Sequence, residues 1–296
     1  MKTTMKVKVL SSTHEFEQNI VRGAKLCYSS ADIEALKEKV TPEEARRFLE
    51  MILGLGHGSV LEHSTITFGI EGVSRALTHQ LVRHRIASYS QKSQRYVKEA
   101  QFEYVVPQDI ENNDFARNLY IDLMEQIQLT YDMIVQELLV DYINDYINEH
   151  KDHPFLDEPI AGILNVKDFL ARFKEIDKKV YLALEKKACE NARYVLPNAC
   201  ETKIQMTINV RSLFNFFQER LCDRAQEEIR ELAELMWLAC MQISPTIFQY
   251  AVPTCVHGKC KEGKFTCGKM IAYKEKYKEA IQSIIEAKAE EEASTP

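Results

Sequence analysis

Fourteen consecutive residues, Arg83-His84-Arg85-Ile86-Ala87-Ser88-Tyr89-Ser90-Gln91-Lys92-Ser93-Gln94-Arg95-Tyr96, gather three arginines, three serines, two tyrosines, two glutamines and a histidine. Planar guanidinium groups grip phosphate oxygens through paired donors, and hydroxyls add short charge-assisted bonds to the same oxygens. Between Gln80 and Lys98 the sequence contains no carboxylate, so no local salt-bridge lattice neutralises the cluster. Such a run, placed after a helix, suits a phosphorylated small molecule; a solvated basic loop is the plainer alternative. A second group of chemically able residues lies in the tail, where Cys255, His257, Cys260 and Cys267 offer three thiols and an imidazole. That set has the donor types of a tetrahedral zinc site but lacks the paired C-x2-C spacing, and reduced free thiols are the competing reading. His57, Glu62 and His63 near a glycine-rich turn are weaker still, and no metal is expected there.

The elements that must position these residues follow from periodicity. Val7 and Val9 alternate with lysines as a short strand, and Phe16, Ile20, Ala24 and Cys27 fall on one face of a helix from about Thr13. Thr41, Pro42 and Glu44 form a capping pattern for a helix that buries Ala45, Phe48, Leu49 and Ile52 and breaks at Gly54, Gly56 and Gly58. Ile66, Phe68 and Ile70 mark a strand, and Ser74 to Leu81 a helix that leads into Arg83. Phe102, Tyr104 and Val106 read as another strand, closed by Pro107.

Ala116, Leu119, Leu123, Ile127, Ile134 and Leu138 keep a helical period until Lys151 to Pro159 interrupts it. A further helix is expected from Lys167 to Val195, stopping before Pro197. Thr202 to Val210 is the cleanest strand, followed by a helix from Leu213 to Leu221 with Ser212 as its cap. Asp223 and Gln226 offer a cap for a long helix that ends near Pro245, and Lys274 to Glu292 is a charged helix. Strands separated by helices without regular βαβ alternation predict an α+β fold, a single mixed domain with antiparallel-type strands and long helices. The expected division is a domain over 1–250, with a helical segment at about 108–177, and a cysteine-containing tail with its charged helix over 251–296.

The 296 residues are 45% apolar and 28% charged with a formal net charge of −6, ordinary for a soluble globular chain. An acidic surface repels polyanions, so basic features are local sites and nucleic acid is not an expected partner. The N-terminus lacks a signal-peptide apolar run and no stretch approaches the ~20 apolar residues of a membrane helix. The expected location is therefore cytoplasmic, with the eight cysteines reduced.

The arrangement Arg83-His84-Arg85, seven residues, then Ser93 resembles the signature of the flavin-dependent thymidylate synthases. Gly56-His57-Gly58-Ser59-Val60-Leu61-Glu62-His63 is similar to that family's histidine-glycine turn. Ala192 to Pro197, Asn209 to Phe216, and Arg220 with Asp223, Ala225 and Gln226 resemble its later blocks in the same order, over roughly residues 15 to 250.

The resemblance implies reductive methylation of dUMP to dTMP, with 5,10-methylenetetrahydrofolate as carbon donor and NADPH as reductant through FAD. It assigns Gln80, Arg83, Gln91, Ser93, Arg95, Arg193 and Arg220 to dUMP, with Arg220 activating the uracil as the catalytic residue. It assigns Ser59, Glu62, Arg83, His84, Arg85, Gln91, Asn209, Arg211 and Asn215 to FAD, and it implies a homotetramer with active sites shared between subunits. Taken alone, Asn209 is an exposed strand residue, Asn215 a solvated helix position, and Phe214 to Phe217 core or subunit packing. Gln91 stands where some relatives have glutamate, so its contact would be a neutral hydrogen bond. Two other classes stay in view: a small RNA- or DNA-binding protein that uses Arg83 to Lys98 with Tyr89 and Tyr96, and a zinc-dependent interaction module in the tail.

Overall fold

The two strongest period-two segments fold as the two central strands of one sheet, and the other elements are arranged around them. In the computed structural model, which describes residues 2–95, 101–157 and 165–294, the first half runs β1 (Lys6–Ser12), α1 (Phe16–Leu26), α2 (Ile33–Lys39), α3 (Pro42–Leu55), β2 (Thr65–Ser74), α4 (Arg75–Leu81) and β3 (Ala87–Gln91). The helical middle follows as α5 (Gln108–Glu111), α6 (Asp114–Glu149), α7 (Val166–Ile176) and α8 (Lys178–Ala192). The chain ends with β4 (Glu201–Asn209), α9 (Val210–Arg220), α10 (Glu227–Ile243), α11 (Pro245–Phe248), α12 (Thr254–His257) and α13 (Met270–Ser294). It divides into two compact units, one of residues 1–3 and 92–201, the other of 4–91 and 202–296.

The larger unit carries the sheet, in the order β1-β2-β4-β3. β1 pairs antiparallel with β2, and β3 with β4. Val210 donates to the Ser64 carbonyl while Thr67 and Thr207 meet through their hydroxyls at 2.9 Å, so β2 and β4 also run in opposite directions. Period-two alternation turns Ile66, Phe68 and Ile70 to the same buried face as Ile204, Met206 and Ile208. That face packs on Ile229, Leu232, Met236 and Trp237 of α10 and on Leu213, Phe216 and Phe217 of α9, while Ile20, Ala45 and Leu49 extend the same core.

Thr41 caps α3 by accepting from the Glu44 amide, and the helix ends at Gly56, whose φ of 75° favours glycine. Gly72 in β2 has φ 71°, and a Cβ there would lie 2.0 Å from the Thr4 carbonyl oxygen, so only glycine fits. α2 has no counterpart in the sequence expectations; its seven residues are too short to show a clear period.

The smaller unit is helical. α6, 36 residues long, buries Tyr131, Val135, Leu139, Ile143 and Ile147 against Phe173 of α7 and Tyr181, Ala188 and Cys189 of α8.

Leu119 and Leu123 keep the helical period of α6 on its exposed side, at 56% and 54% exposure. Three expectations are corrected. Phe102 to Val106 is not a strand: Tyr104 makes only isolated bridges to Lys2 and Cys200, while Gln128 and Tyr120 hold Phe102 and Val105 by side-chain bonds. The helix expected from Lys167 to Val195 breaks at Asp177, which ends α7 and caps α8 through the Val180 amide, and a 3-10 turn finishes it at Arg193–Val195. Asn209, not Ser212, caps α9, because its side chain accepts from the Ser212 amide and starts the helix three residues early. Tyr96, Lys98 and Pro159 lie outside the described residues.

Candidate functional site

The last turn of α4 delivers the Arg-His-Arg run. Ser74 caps that helix through the Leu77 amide, and Glu228 of α10 accepts from both the Ser74 amide (2.7 Å) and its hydroxyl (2.6 Å). Burial pushes the Glu228 carboxyl up, against the pull of those two bonds. After Leu81 the chain turns so that Arg83 and Arg85 are exposed while His84 between them is buried. Ile86 then takes φ 63°, a left-handed conformation unusual for a β-branched residue, before β3 begins.

His84 is the centre of the arrangement. Its ring meets Phe216 edge-on at 4.9 Å, and its Nε2 accepts from Arg220 Nε at 2.9 Å. Burial first, and the Arg220 charge second, hold the imidazole below its ordinary pKa, so it is neutral at pH 7. Since Nε2 is the acceptor, the ring proton sits on Nδ1. Tyr89 of β3 donates to the His84 carbonyl at 2.7 Å and lies 3.0 Å from that of Leu81; burial raises its pKa to about 12, so it remains a donor. Arg220, half-buried at the end of α9, is thereby fixed by the histidine of the Arg-His-Arg run.

Register explains Gln91. Opposite Ile204 in the β3–β4 ladder, it shares the inward face with Tyr89, while Ser88 and Ser90 face outward. Its amide donates to Thr78 (3.0 Å) and Thr202 (3.2 Å). Gln80, one helical turn before Arg83, is half-buried.

Ser59, itself exposed, opens a 3-10 turn, Ser59–His63, that buries Leu61. From that turn Glu62 accepts from Arg211 of α9 at 2.7 Å. Both side chains are about half exposed, so the pair orients more than it stabilises. His63 packs against Gly23 of α1, where a Cβ would meet its ring at 2.7 Å. Asn209 spends its side-chain oxygen on the α9 cap, and Asn215 lines a cleft with Arg220, Cys222 and Arg224. Of the aromatic run, Phe216 and Phe217 are fully buried core residues.

The smaller unit assembles a second set. Arg95 pairs with Glu190 of α8 at 2.5 Å, its amide accepted by the Ser93 hydroxyl at 3.2 Å. Arg193 Nε donates to the Glu190 carbonyl at 3.2 Å. Arg95 and Arg193 thus meet at Glu190, with Ser93 tied to the Arg95 backbone. Glu190 was missed in the sequence because it falls just before the matched block; its position three residues ahead of Arg193 on a helix was the available signal. Thr78, Thr202 and Glu228 were missed too, since only strand register and helix contacts bring them to Gln91 and Ser74.

With this geometry in place, comparison with known proteins is decisive. Residues 8–246 match the family described as thymidylate synthase complementing protein. A flavin-dependent thymidylate synthase from Clostridium tetani is 42% identical over 92% of this chain and 97% of that protein. One from Geobacter sulfurreducens is 39% identical over 93% and 99%. The chain belongs to the flavin-dependent thymidylate synthase family.

The family's fold is present as well. A UMP/dUMP methylase from Streptomyces cacaoi, solved with 5-Br dUMP, superposes with a TM-score of 0.57 at 19% identity over 84% of this chain and 94% of that one. At that identity the likeness speaks for the fold alone. In the family's terms, the Arg-His-Arg histidine here serves as a hydrogen-bond acceptor for Arg220.

Proposed function

We propose that this enzyme converts dUMP to dTMP. The methylene of 5,10-methylenetetrahydrofolate supplies the carbon, NADPH supplies two electrons through FAD, a proton comes from solvent, and tetrahydrofolate and NADP leave. The observation that carries the reading is the Arg220 guanidinium held by the neutral imidazole of Arg83-His84-Arg85.

The donor set fits a flavin dinucleotide. Arg83 and Arg85 present two exposed guanidiniums to its anionic or electron-rich parts; Ser59, Asn209, Asn215 and Gln91 are neutral partners, and Glu62 and Arg211 are a matched pair. Bound there, FAD supplies the reducing equivalents. Arg220 stabilises negative charge on the uracil and favours loss of its N3 proton. His84 keeps Arg220 aimed without adding a competing charge. Ser93, Arg95 and Arg193 take the nucleotide phosphate, which replaces Glu190 as the partner of Arg95. Gln80, Arg83 and Gln91 complete the nucleotide contacts.

The family match ending at residue 246 supports residues 1–250 as the catalytic region and 251–296 as an appended tail. We assign the enzyme to the cytoplasm, in keeping with cysteines present as thiols rather than disulfides. Among the described residues no helix is long and apolar enough to cross a membrane. A homotetramer is supported by exposed Phe115, Leu119 and Leu123, spaced four residues apart along α6.

Two variants test the assignments together. Arg220→Ala keeps its flavin absorbance but loses dTMP formation by about 100-fold or more, the loss typical of removing one charge-stabilising donor. Arg95→Ala weakens equilibrium dUMP binding by about 10-fold or more with flavin retained. Unchanged dUMP affinity in Arg95→Ala removes the phosphate assignment, and full turnover in Arg220→Ala removes the catalytic one.

A further inference from the structure

The segment between α12 and α13 has almost nothing of its own to bury. From His257 to Met270 every residue is exposed except Cys260 and Cys267. A loop of this length without an apolar anchor needs another tie, and both inward-facing residues are thiols. They face two more. Cys255, buried at the start of α12, and Cys222, at the corner between α9 and α10, line one cleft with Cys260. Burial first, and the neighbouring thiols after it, push the Cys222 and Cys255 thiols up, with Cys260 and Cys267 near enough to act on both.

His257, the imidazole that sequence reading grouped with these cysteines, is engaged elsewhere. Its Nε2 lies 3.2 Å from the Gln249 carbonyl oxygen, and its ring packs beside Tyr250. Cys222, by contrast, accepts a hydrogen bond from the Arg224 backbone amide. Gly263 and Gly268, at φ 52° and 77°, allow the tight turns before and after Cys267. The loop also carries Lys259, Lys261, Lys264 and Lys269 against the single acid Glu262, with Arg224 bonded to the Phe265 carbonyl at its base. That charge balance suits a dianionic centre.

We propose that Cys222, Cys255, Cys260 and Cys267 bind one structural zinc ion as a tetrathiolate. Among the described residues no three such side chains yet stand in a metal-holding arrangement, so closure takes side-chain rotation and a shift of the exposed loop. Each thiol binds as thiolate and gives its proton to solvent, while zinc keeps its oxidation state. Closed, the centre ties the loop before α13 to the corner that follows Arg220.

The test is metal analysis and zinc-edge X-ray absorption on the full-length flavoprotein purified without chelators. About one zinc per chain, with four sulfurs at about 2.3 Å, is the expected result. Cys222→Ser and Cys267→Ser should fall below about a tenth of an equivalent, while His257→Ala keeps its zinc. Should Cys222→Ser not fold, the absorption spectrum of the unaltered protein and the exposed-loop variant Cys267→Ser decide. The proposal is overturned by native protein that holds less than about a tenth of an equivalent after incubation with zinc chloride and desalting, or by a nitrogen ligand in the metal shell. Zinc lost from His257→Ala and kept in Cys222→Ser overturns it equally.

Discussion

An imidazole that accepts a hydrogen bond from a guanidinium has to be neutral, and that requirement makes the His84–Arg220 pair sensitive to pH. The folded pKa of His84 lies below its ordinary 6.5, so the unfolded chain takes up the proton first as pH falls. Stability is therefore full above about pH 6.5 and declines as acid approaches the lowered folded value. Comparing melting temperatures at pH 7.5 and 5.5 should show a drop that is smaller in His84→Gln, whose amide oxygen still accepts from Arg220. An equal drop in both proteins would mean His84 is not the titrating group. At this scale the sequence was informative about which residues matter and silent about how they are held. The family pattern singled out His84 and Arg220 separately, 136 positions apart, and only packing against Phe216 shows one positioning the other.

Among the elements, α4 carries the burden of placing Gln80 and the Arg-His-Arg run, and its start is clamped by Glu228. Truncating Glu228 to alanine strips partners from the Ser74 amide and hydroxyl, at a cost of about 1–3 kcal/mol. The expected outcome is a clearly lower unfolding midpoint in calorimetry with flavin still bound; a midpoint unchanged from the parent would contradict the clamp.

Strands with one buried face and helices with capping boxes were legible, as β2, β4 and α3 show, because local pattern and tertiary burial agree there. β3 was not, since Ala87 to Gln91 is a polar edge strand whose inward residues are a tyrosine and a glutamine satisfied by distant hydroxyls and carbonyls. Phe102 to Val106 shows the reverse: it alternates like a strand but, among the described residues, makes only isolated bridges to Lys2 and Cys200. The cap of α9 was misplaced by three residues because Asn209 and Ser212 are equally good cap types, and only the backbone turn decides between them.

At the scale of the whole molecule, the larger unit holds the sheet and the His84–Arg220 pair, and the smaller unit holds the Ser93, Arg95 and Arg193 cluster. Phe115, Leu119 and Leu123 remain exposed on α6, a surface a subunit contact would cover. Light scattering after size exclusion should give a tetramer mass, and Leu119→Glu with Leu123→Glu should lower the oligomeric order; a monodisperse parent monomer would contradict the assembly. A helical period along α6 cannot say which side faces solvent, and Leu119 and Leu123 fall on the exposed one.

The most direct measurement is anaerobic turnover: the purified flavoprotein with NADPH, methylenetetrahydrofolate and dUMP, analysed for nucleotide products. The expected result is bleaching of the flavin, with one dTMP and one tetrahydrofolate formed per NADPH consumed. Bleached flavin with unreacted dUMP, or a protein that neither retains nor rebinds FAD, would contradict it.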